Sequence, residues 1–354
     1  MTTGAPAFTF IFPGDPETLT GGYTYGRRIV ESCRASGVDV TVIALPDGFP
    51  EPDETVVSQS RHIVSGIPDG TLVVFDGLAF GALPDLAADH GKRLRFVALV
   101  HHPLADETGL SPEAQKRHFE RERTSLTHAR CVIVSSPFTK IRLQDFGVDP
   151  EACFVVEPGI DDAPFNDVRP APPHPRLLYV ASLTERKGHL DLFKALQSLQ
   201  RDDWSLNIVG PDDLSPEYGT KVLEAAKPFG EKVRFHGALP EAALADLYRS
   251  ADLYVSPARY EGYGMALATA VVYGLPIVAV NGGAVASTPA GKAARLVSVD
   301  DIHGLAQALQ QAMKDPTERA RLSQQSRAAR MLLGGWMEAG QDFLTALRTV
   351  GSDT

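Results

Sequence analysis

One carboxylate, Glu261, lies in a loop whose composition would let a polar ligand approach closely. The pattern of residues 256–280 predicts the end of a strand, a loop containing Gly262 and Gly264, a helix and then a buried strand. In open α/β sheets, ligands bind beyond the carboxyl ends of the strands, where helix amides and a glycine backbone can reach a phosphate or a sugar. A surface acid would need no ligand, but the flanking glycines and the strand end favour a polar ligand at this loop.

Two adjacent cations, Arg186 and Lys187, stand in a second segment of this kind, between a hydrophobic strand and a helix that begins near Gly188. Such a pair would stabilise negative charge that develops on a departing phosphate group. The alternative is a solvated turn that carries two surface charges.

Two further features follow strands in the first half of the chain. His101 ends a hydrophobic strand, where an imidazole can hydrogen-bond a sugar hydroxyl or a phosphate in either protonation state; its neighbour His102 is a weaker candidate. Gly21 and Gly22 follow the first strand across a threonine-rich loop and precede a helix. Taken alone, a strand-end histidine is more often structural, and paired glycines are more often part of a turn.

Short apolar runs alternate with longer amphipathic stretches along the chain, which is the pattern of βα units around a parallel sheet. The first half contains six candidate strands, at residues 8–12, 38–44, 71–75, 94–100, 131–135 and 153–156. The second half contains six more, at residues 177–181, 206–209, 233–236, 253–256, 277–280 and 295–297. Five prolines between residues 160 and 176 favour an extended linker. We therefore predict two Rossmann-like α/β domains, at residues 1–165 and 166–335.

The composition agrees with a folded chain of this size. The 354 residues suit two domains of about 150 residues each, and 44% hydrophobic with 22% charged residues is an ordinary globular balance. The net charge of −10 argues against a nucleic-acid partner. The three cysteines lack the spacing of a disulfide framework or a zinc site.

No apolar run approaches the roughly 18 residues of a membrane span, and the first residues do not resemble an export signal. Acidic and basic residues interleave along the charged helix predicted at residues 116–123, which favours a solvated face over peripheral contact with a membrane. We expect a cytoplasmic protein.

The segment around Glu261 resembles the donor-site signature of retaining, nucleotide-sugar-dependent glycosyltransferases of the two-Rossmann-domain (GT-B) type. This family, which is similar to glycosyltransferase family 4, includes glycogen synthases and bacterial phosphatidylinositol mannosyltransferases. Its pattern is Glu-Gly-aromatic-Gly, a second Glu eight positions after the first, and then Gly-x-Pro with a hydrophobic strand. The matching residues are Glu261, Gly262, Tyr263, Gly264, Gly274 and Pro276. The resemblance implies two domains that face across a cleft, with a last helix near residues 336–354 that crosses back to complete the first domain.

The resemblance also implies roles for individual residues. Glu261 would hold hydroxyls of the donor sugar, Lys187 would contact the diphosphate, and His101 would touch the donor sugar. Backbone and helix-start residues would supply the other donor contacts: Gly21, Gly22, Gly210, Pro211, Leu239, Gly262, Tyr263, Gly264 and Met265.

Three positions depart from the family pattern. Thr269 stands where the family has its second Glu, which normally binds the donor ribose, although its hydroxyl remains a possible contact. Ser182 stands in place of an Arg that clamps the diphosphate together with Lys187, and the neighbouring Arg186 could supply that charge. The acidic residue often found beyond the turn at 281–283 is also missing. Such departures could mean altered donor choice, weaker affinity or lost activity.

The leading hypothesis is a glycosyltransferase that moves a sugar from a nucleoside diphosphate to a small-molecule, glycan or lipid acceptor with retention of anomeric configuration. No Asp-x-Asp pair follows a strand, so we expect no metal requirement and no other cofactor. The alternative is a non-catalytic protein that binds a nucleotide sugar or a partner on the same scaffold. A Rossmann oxidoreductase is disfavoured, because Gly14 and the Gly21-Gly22 pair do not form Gly-x-Gly-x-x-Gly after the first strand.

Overall fold

A computed structural model describes residues 6–166, 174–200 and 203–351. The described residues form two compact units. The first contains those up to Gly159 and those from Gly334 onward, and the second contains those from Ile160 to Leu333. The predicted boundary at residue 165 lies a few positions after this division. Part of the proline-rich linker, residues 167–173, lies outside the described residues.

The first unit is built on six parallel strands in the spatial order β2-β1-β3-β4-β5-β6. The strands are β1 Phe8–Phe12, β2 Val40–Ala44, β3 Leu72–Asp76, β4 Arg95–Val100, β5 Cys131–Val134 and β6 Cys153–Val155. The helices between them are α1 Gly21–Ala35, α2 Glu54–Ser65, α3 Gly77–Phe80, α4 Pro84–His90, α5 Pro112–Leu126 and α6 Pro137–Arg142. Every residue of β1 and β3 is buried, as expected for parallel strands that are covered on both faces.

The second unit repeats this architecture with a different sequence. Its six parallel strands lie in the order β12-β11-β10-β7-β8-β9. They are β7 Arg176–Val180, β8 Ser205–Val209, β9 Val233–Phe235, β10 Leu253–Ser256, β11 Ile277–Val280 and β12 Arg295–Val297. The helices are α7 His189–Gln197, α8 Pro216–Ala226, α9 Glu241–Ser250, α10 Met265–Val272, α11 Pro289–Ala293, α12 Ile302–Lys314 and α13 Pro316–Ala329.

The predicted strands and the predicted α/β class are confirmed. Each of the twelve strands is present, and its ends differ from the prediction by at most two residues. The reason is that buried parallel strands are short, continuous apolar runs that contrast clearly with the amphipathic helices beside them.

The last helix, α14 Trp336–Gly351, returns to the first unit and packs along α1. Phe343 of this helix is fully buried, and its ring lies 6.2 Å from the ring of Phe8. Gly340 permits the close approach of the two helices, because a Cβ at that position would overlap the side chain of Ser32. The first unit is therefore completed by the end of the chain, as the resemblance implied.

One buried acid stands out in the first unit. Glu122 on α5 is only 1% exposed, and its Oε2 accepts a hydrogen bond from the backbone N–H of Leu104 at 2.8 Å. Its Oε1 is buried and has no hydrogen-bond partner among the described residues. Burial in this apolar setting raises the pKa of Glu122 from 4.5 to about 8, against the opposing effect of the Leu104 hydrogen bond.

This buried acid predicts an unusual dependence of stability on pH. Between about pH 4.5 and 8, the folded chain keeps the Glu122 proton while the unfolded chain releases it, so this group lowers the free energy of unfolding as pH rises. Glu122→Gln keeps the acceptor for Leu104 and cannot ionise. We expect the variant to gain on the order of 1–3 kcal/mol over the wild type at pH 8.5 and little at pH 5, as measured by urea unfolding.

Glu120→Gln is the matched control, because Glu120 lies on the same helix with an exposed side chain. It should leave the pH dependence unchanged. Parallel pH profiles for the wild type and the Glu122 variant would contradict the prediction.

Candidate functional site

Three loops meet at the carboxyl edge of the second sheet, because β7, β10 and β11 are neighbours in it. The loop after β7 carries Arg186 and Lys187, the loop after β10 carries Glu261, and the loop after β11 carries the glycine pair at 282–283. These segments are separated by about 75 and 20 positions in the sequence, so the parallel sheet is what brings them together.

The structure places the predicted acid and the predicted cations in direct contact. Lys187 Nζ donates to Glu261 Oε1 at 2.7 Å, and the Arg186 guanidinium lies 3.6 Å from Glu261 Oε2. The three side chains are only 13–16% exposed. Arg186 also donates to the backbone carbonyl of Tyr260 at 2.8 Å, which fixes its guanidinium beside the carboxylate.

The backbone of Glu261 is held by the loop that follows β11. Glu261 and Gly283 form a parallel β-bridge, and the Ala284 N–H donates to the Glu261 carbonyl at 2.8 Å. Gly283 has a φ of 62°, and a Cβ at this position would overlap the Glu261 backbone. Glycine is therefore required there for two reasons, its left-handed φ and the close approach of the Glu261 strand.

The backbone of Lys187 is fixed in a similar way. Gly188 adopts a left-handed conformation with a φ of 67°, and a Cβ on it would overlap the carbonyl of Pro257. The buried hydroxyl of Tyr179 donates to the Lys187 carbonyl at 2.6 Å. The Arg259 N–H also donates to the Arg186 carbonyl at 2.8 Å, so the two loops are joined through their backbones.

Helix α10 begins immediately after the Glu261 loop. Its N-cap is Gly264, with a φ of 93°, and no side chain caps the first turn. The first backbone N–H groups of a helix have no partner within the helix, so they can bind an anion or an acceptor oxygen. Gly262 and Tyr263 are buried beneath this turn, and Met265 is half-buried at its start.

Thr269 lies one turn further along α10 and points its hydroxyl back into the helix. The hydroxyl donates to the carbonyl of Met265 at 3.0 Å. Its proton is thus used in the i−4 hydrogen bond that threonine often makes in helices. A carboxylate at the same position would instead present two acceptor oxygens to a ligand.

The remaining residues predicted in this unit lie at the same edge of the sheet. Gly210 follows β8, donates its N–H to the Gly237 carbonyl at 2.9 Å, and leaves no room for a Cβ beside Ala181. The carbonyl of Pro211 accepts from the N–H of Leu183 at 2.9 Å. Leu239, after β9, is half-buried and packs on the core.

In the first unit, the predicted residues meet at the carboxyl edge of its own sheet. His101 follows β4, and its ring lies edge-on to the ring of Tyr25 with centroids 5.2 Å apart. Gly21 is the first residue of α1, and a Cβ on Gly22 would lie 3.2 Å from Cδ2 of His101. The neighbouring His102 turns to Glu107, with Nε2 3.4 Å from the Glu107 carboxylate.

Asp76 is a further residue of this edge that was not predicted from the sequence. This residue ends β3, is only 4% exposed, and has its Oδ2 3.5 Å from Nε2 of His101. The available signal was an acid at the end of an otherwise apolar strand, directly before a glycine.

Within residues 6–166, 174–200 and 203–351, no cluster of three or more His, Cys, Asp or Glu side chains is arranged to hold a metal ion. Over the same residues, no helix has both the length and the apolar character needed to cross a membrane.

Two family models match adjacent parts of the chain. Residues 20–163 match the model described as Glycosyltransferase Family 4, and residues 164–329 match the model described as Glycosyl transferases group 1. Together, the two matches run from residue 20 to residue 329 and leave out β1 and α14 of the first unit.

Curated relatives agree with these matches. The chain is 29% identical over 305 residues to an MMP alpha-(1->4)-mannosyltransferase of Mycolicibacterium hassiacum, which covers 82% of this chain and 73% of that protein. It is 34% identical over 171 residues to a phosphatidyl-myo-inositol mannosyltransferase of Mycolicibacterium smegmatis, covering 46% and 43% of the two chains. For a mannosylfructose-phosphate synthase and a D-inositol 3-phosphate glycosyltransferase, the matched part spans about half of the relative's length.

Solved structures show the same fold. A sucrose-phosphate synthase from Thermosynechococcus elongatus superposes with a TM-score of 0.82 at 20% identity, over 99% of this chain and 100% of that one. Anabaena HepE, solved in complex with UDP and glucose, superposes with a TM-score of 0.74 at 16% identity, over 97% and 100%.

The fold and the site thus define a GT-B protein with two Rossmann-like units. The chain belongs to the glycosyltransferases of family 4 and group 1, and the predicted family and enzyme class are confirmed.

The packing of Gly283 against Glu261 gives a direct test of the site's construction. Gly283→Ala should push the Glu261 backbone away, and a shift of about 1 Å at such a residue can reduce turnover by about 10²-fold. We expect weaker binding of a nucleoside diphosphate sugar in isothermal titration calorimetry, by at least about 10-fold, together with a lower melting temperature.

Gly147→Ala is the matched control. Gly147 also has a positive φ, 81°, but no atom lies near its missing Cβ. This variant should lose only about 1–2 kcal/mol of folding stability, because alanine is strained at a positive φ. It should bind the ligand normally. Equal affinity in the two variants would contradict the assigned role of the Gly283 contact.

Proposed function

We propose that the chain transfers a sugar from a nucleoside diphosphate to an acceptor, with retention of anomeric configuration. The observation that carries this proposal is the contact of Glu261 with Lys187 and Arg186 beside the uncapped start of α10. One small region thus holds an acceptor for sugar hydroxyls and several donors for phosphate oxygens. The relatives named as mannosyl- and glycosyltransferases support sugar transfer as the reaction.

Lys187 and Arg186 would bind the diphosphate of the donor. An ammonium group has three N–H donors and a guanidinium has five, so each can keep Glu261 as a partner while binding a phosphate oxygen. In a site with little solvent, fixed cations stabilise the charge that appears on the departing nucleoside diphosphate. Arg186 would replace the family Arg that is missing at Ser182. The position of its guanidinium beside the Glu261 carboxylate supports this proposal.

Glu261 would bind hydroxyl groups of the donor sugar. A carboxylate that faces two cations is a weaker nucleophile than a free one, since both of its oxygens lie near positive charge. This favours positioning of the sugar over formation of a covalent glycosyl-enzyme, the route that many retaining hydrolases take. The acceptor would then attack the face of the sugar that the diphosphate leaves.

His101, Gly21 and Gly22 are proposed substrate contacts at the carboxyl edge of the sheet in the first unit. The imidazole can hydrogen-bond a hydroxyl, and the glycines allow close approach of the backbone. The acceptor would be a small molecule, a glycan or a lipid. The inward hydrogen bond of Thr269 supports altered recognition of the donor ribose, because no carboxylate is available at that position.

The test is a screen of nucleoside diphosphate sugars against a panel of phosphorylated, polyol and lipid acceptors. Products would be detected by mass spectrometry, and the anomeric configuration read from proton coupling constants. A product with the same anomeric configuration as the donor would support the proposal. Tight donor binding in calorimetry without turnover across the panel would instead favour the non-catalytic binding protein.

Single substitutions would locate the chemistry. Glu261→Ala and Lys187→Ala should each lower turnover by about 10²-fold, the scale of losing one transition-state contact. Lys194→Ala is the matched control, because Lys194 is a surface lysine of α7 whose side chain is 60% exposed. Turnover numbers for the three variants, with circular dichroism to confirm folding, are the measurement. Unchanged kinetics in both site variants would contradict the assignment.

A further inference from the structure

An aspartate faces His101 from the neighbouring strand of the first sheet. Strands β3 and β4 are parallel neighbours, with Asp76 in register with Leu99. Asp76 ends β3 and His101 follows β4, so both side chains lie at the same edge of the sheet. The distance from Asp76 Oδ2 to His101 Nε2 is 3.5 Å. Catalytic hydrogen bonds are often this long without substrate and shorten when it binds.

The two oxygens of Asp76 have different partners. Oδ1 accepts a hydrogen bond from the backbone N–H of Leu78 at 2.9 Å, which caps the short helix α3. This bond fixes the rotation of the carboxylate and leaves Oδ2 directed at His101. The side chain of Asp76 is only 6% exposed, and a carboxylate with so little solvent is stabilised by an N–H donor.

The two ring nitrogens of His101 have different surroundings. Nε2 is buried and makes no hydrogen bond among the described residues, and Asp76 Oδ2 approaches it to 3.5 Å. The ring is confined by Gly22 on one side and by the ring of Tyr25, 5.2 Å away and nearly perpendicular. The side chain is nevertheless 22% exposed, and Nδ1 is the nitrogen left toward solvent.

We propose that Asp76 is a positioning residue for glycosyl transfer, and this inference depends on the proposed function. Asp76 holds His101 in the tautomer that carries its proton on Nε2, which makes Nδ1 a hydrogen-bond acceptor. An acceptor selects a group that can donate. The substrate group at His101 is therefore a hydroxyl, of the donor sugar or of the acceptor, and not a carboxylate or a phosphate oxygen.

The variant Asp76→Asn should change the tautomer of His101 while it keeps the shape of the side chain at position 76. The carbonyl of an Asn at this position would accept from the Leu78 N–H, because only an acceptor fits there. Its NH₂ group would then face Nε2 of His101, and two donors repel. The proton should move to Nδ1, which leaves a donor where the substrate requires an acceptor. The same reasoning explains why an amide cannot replace the aspartate of a serine-protease triad.

Nuclear magnetic resonance of ¹⁵N-histidine-labelled full-length protein reads the tautomer directly. At pH 8.5, the wild type should show His101 protonated on Nε2 and the Asp76→Asn variant should show it protonated on Nδ1. The His101→Gln spectrum identifies the signal among the ten histidines. We expect the turnover number of Asp76→Asn to fall by about 10²-fold, with the melting temperature close to that of the wild type.

Asp53→Asn is the matched control, since Asp53 caps α2 through the Val56 N–H at 2.8 Å on the exposed surface. It should change neither the His101 signal nor turnover. A proton on Nδ1 in the wild type, or the same tautomer in wild type and Asp76→Asn, would overturn the inference. Absence of turnover in the wild type would contradict the proposed function instead, because the tautomer is measured without substrate.

Discussion

The ion pair between Lys187 and Glu261 is the interaction on which the candidate site depends. Both charges are mostly removed from solvent, so neither would be stable alone. Their separation of 2.7 Å, with the Arg186 guanidinium nearby, offsets the cost of burial. In such surroundings, charges act on a ligand more strongly than they would in water. Under the proposed function, the pair keeps both charged side chains in place for a nucleoside diphosphate sugar.

This pair is possible only because the backbone places its members with little freedom. Gly188 and Gly283 both adopt left-handed conformations, and both lie against a neighbouring backbone where a Cβ would not fit. The parallel sheet supplies the rest, since it aligns the carboxyl ends of β7, β10 and β11 at one edge. The first unit uses the same arrangement at the ends of β3 and β4, where Asp76 meets His101.

The sequence was sufficient for the features that depend on local pattern. Buried strands are continuous apolar runs, so all twelve were predicted, and glycine-bracketed charges at strand ends marked Lys187 and Glu261. Features that depend on partners far along the chain were not predicted. Asp76 looks like an ordinary strand-end acid until β4 places His101 beside it, and the inward hydrogen bond of Thr269 depends on its rotamer in α10.

The most direct test of the central claim is a crystal structure of the full chain with a bound nucleoside diphosphate hexose chosen by the donor screen. We expect the Glu261 carboxylate to lie within about 3.2 Å of sugar hydroxyls, and Lys187 Nζ to lie within the same distance of a diphosphate oxygen. A nucleotide bound at another edge of the sheet, with the Lys187–Glu261 pair out of contact with it, would contradict the account.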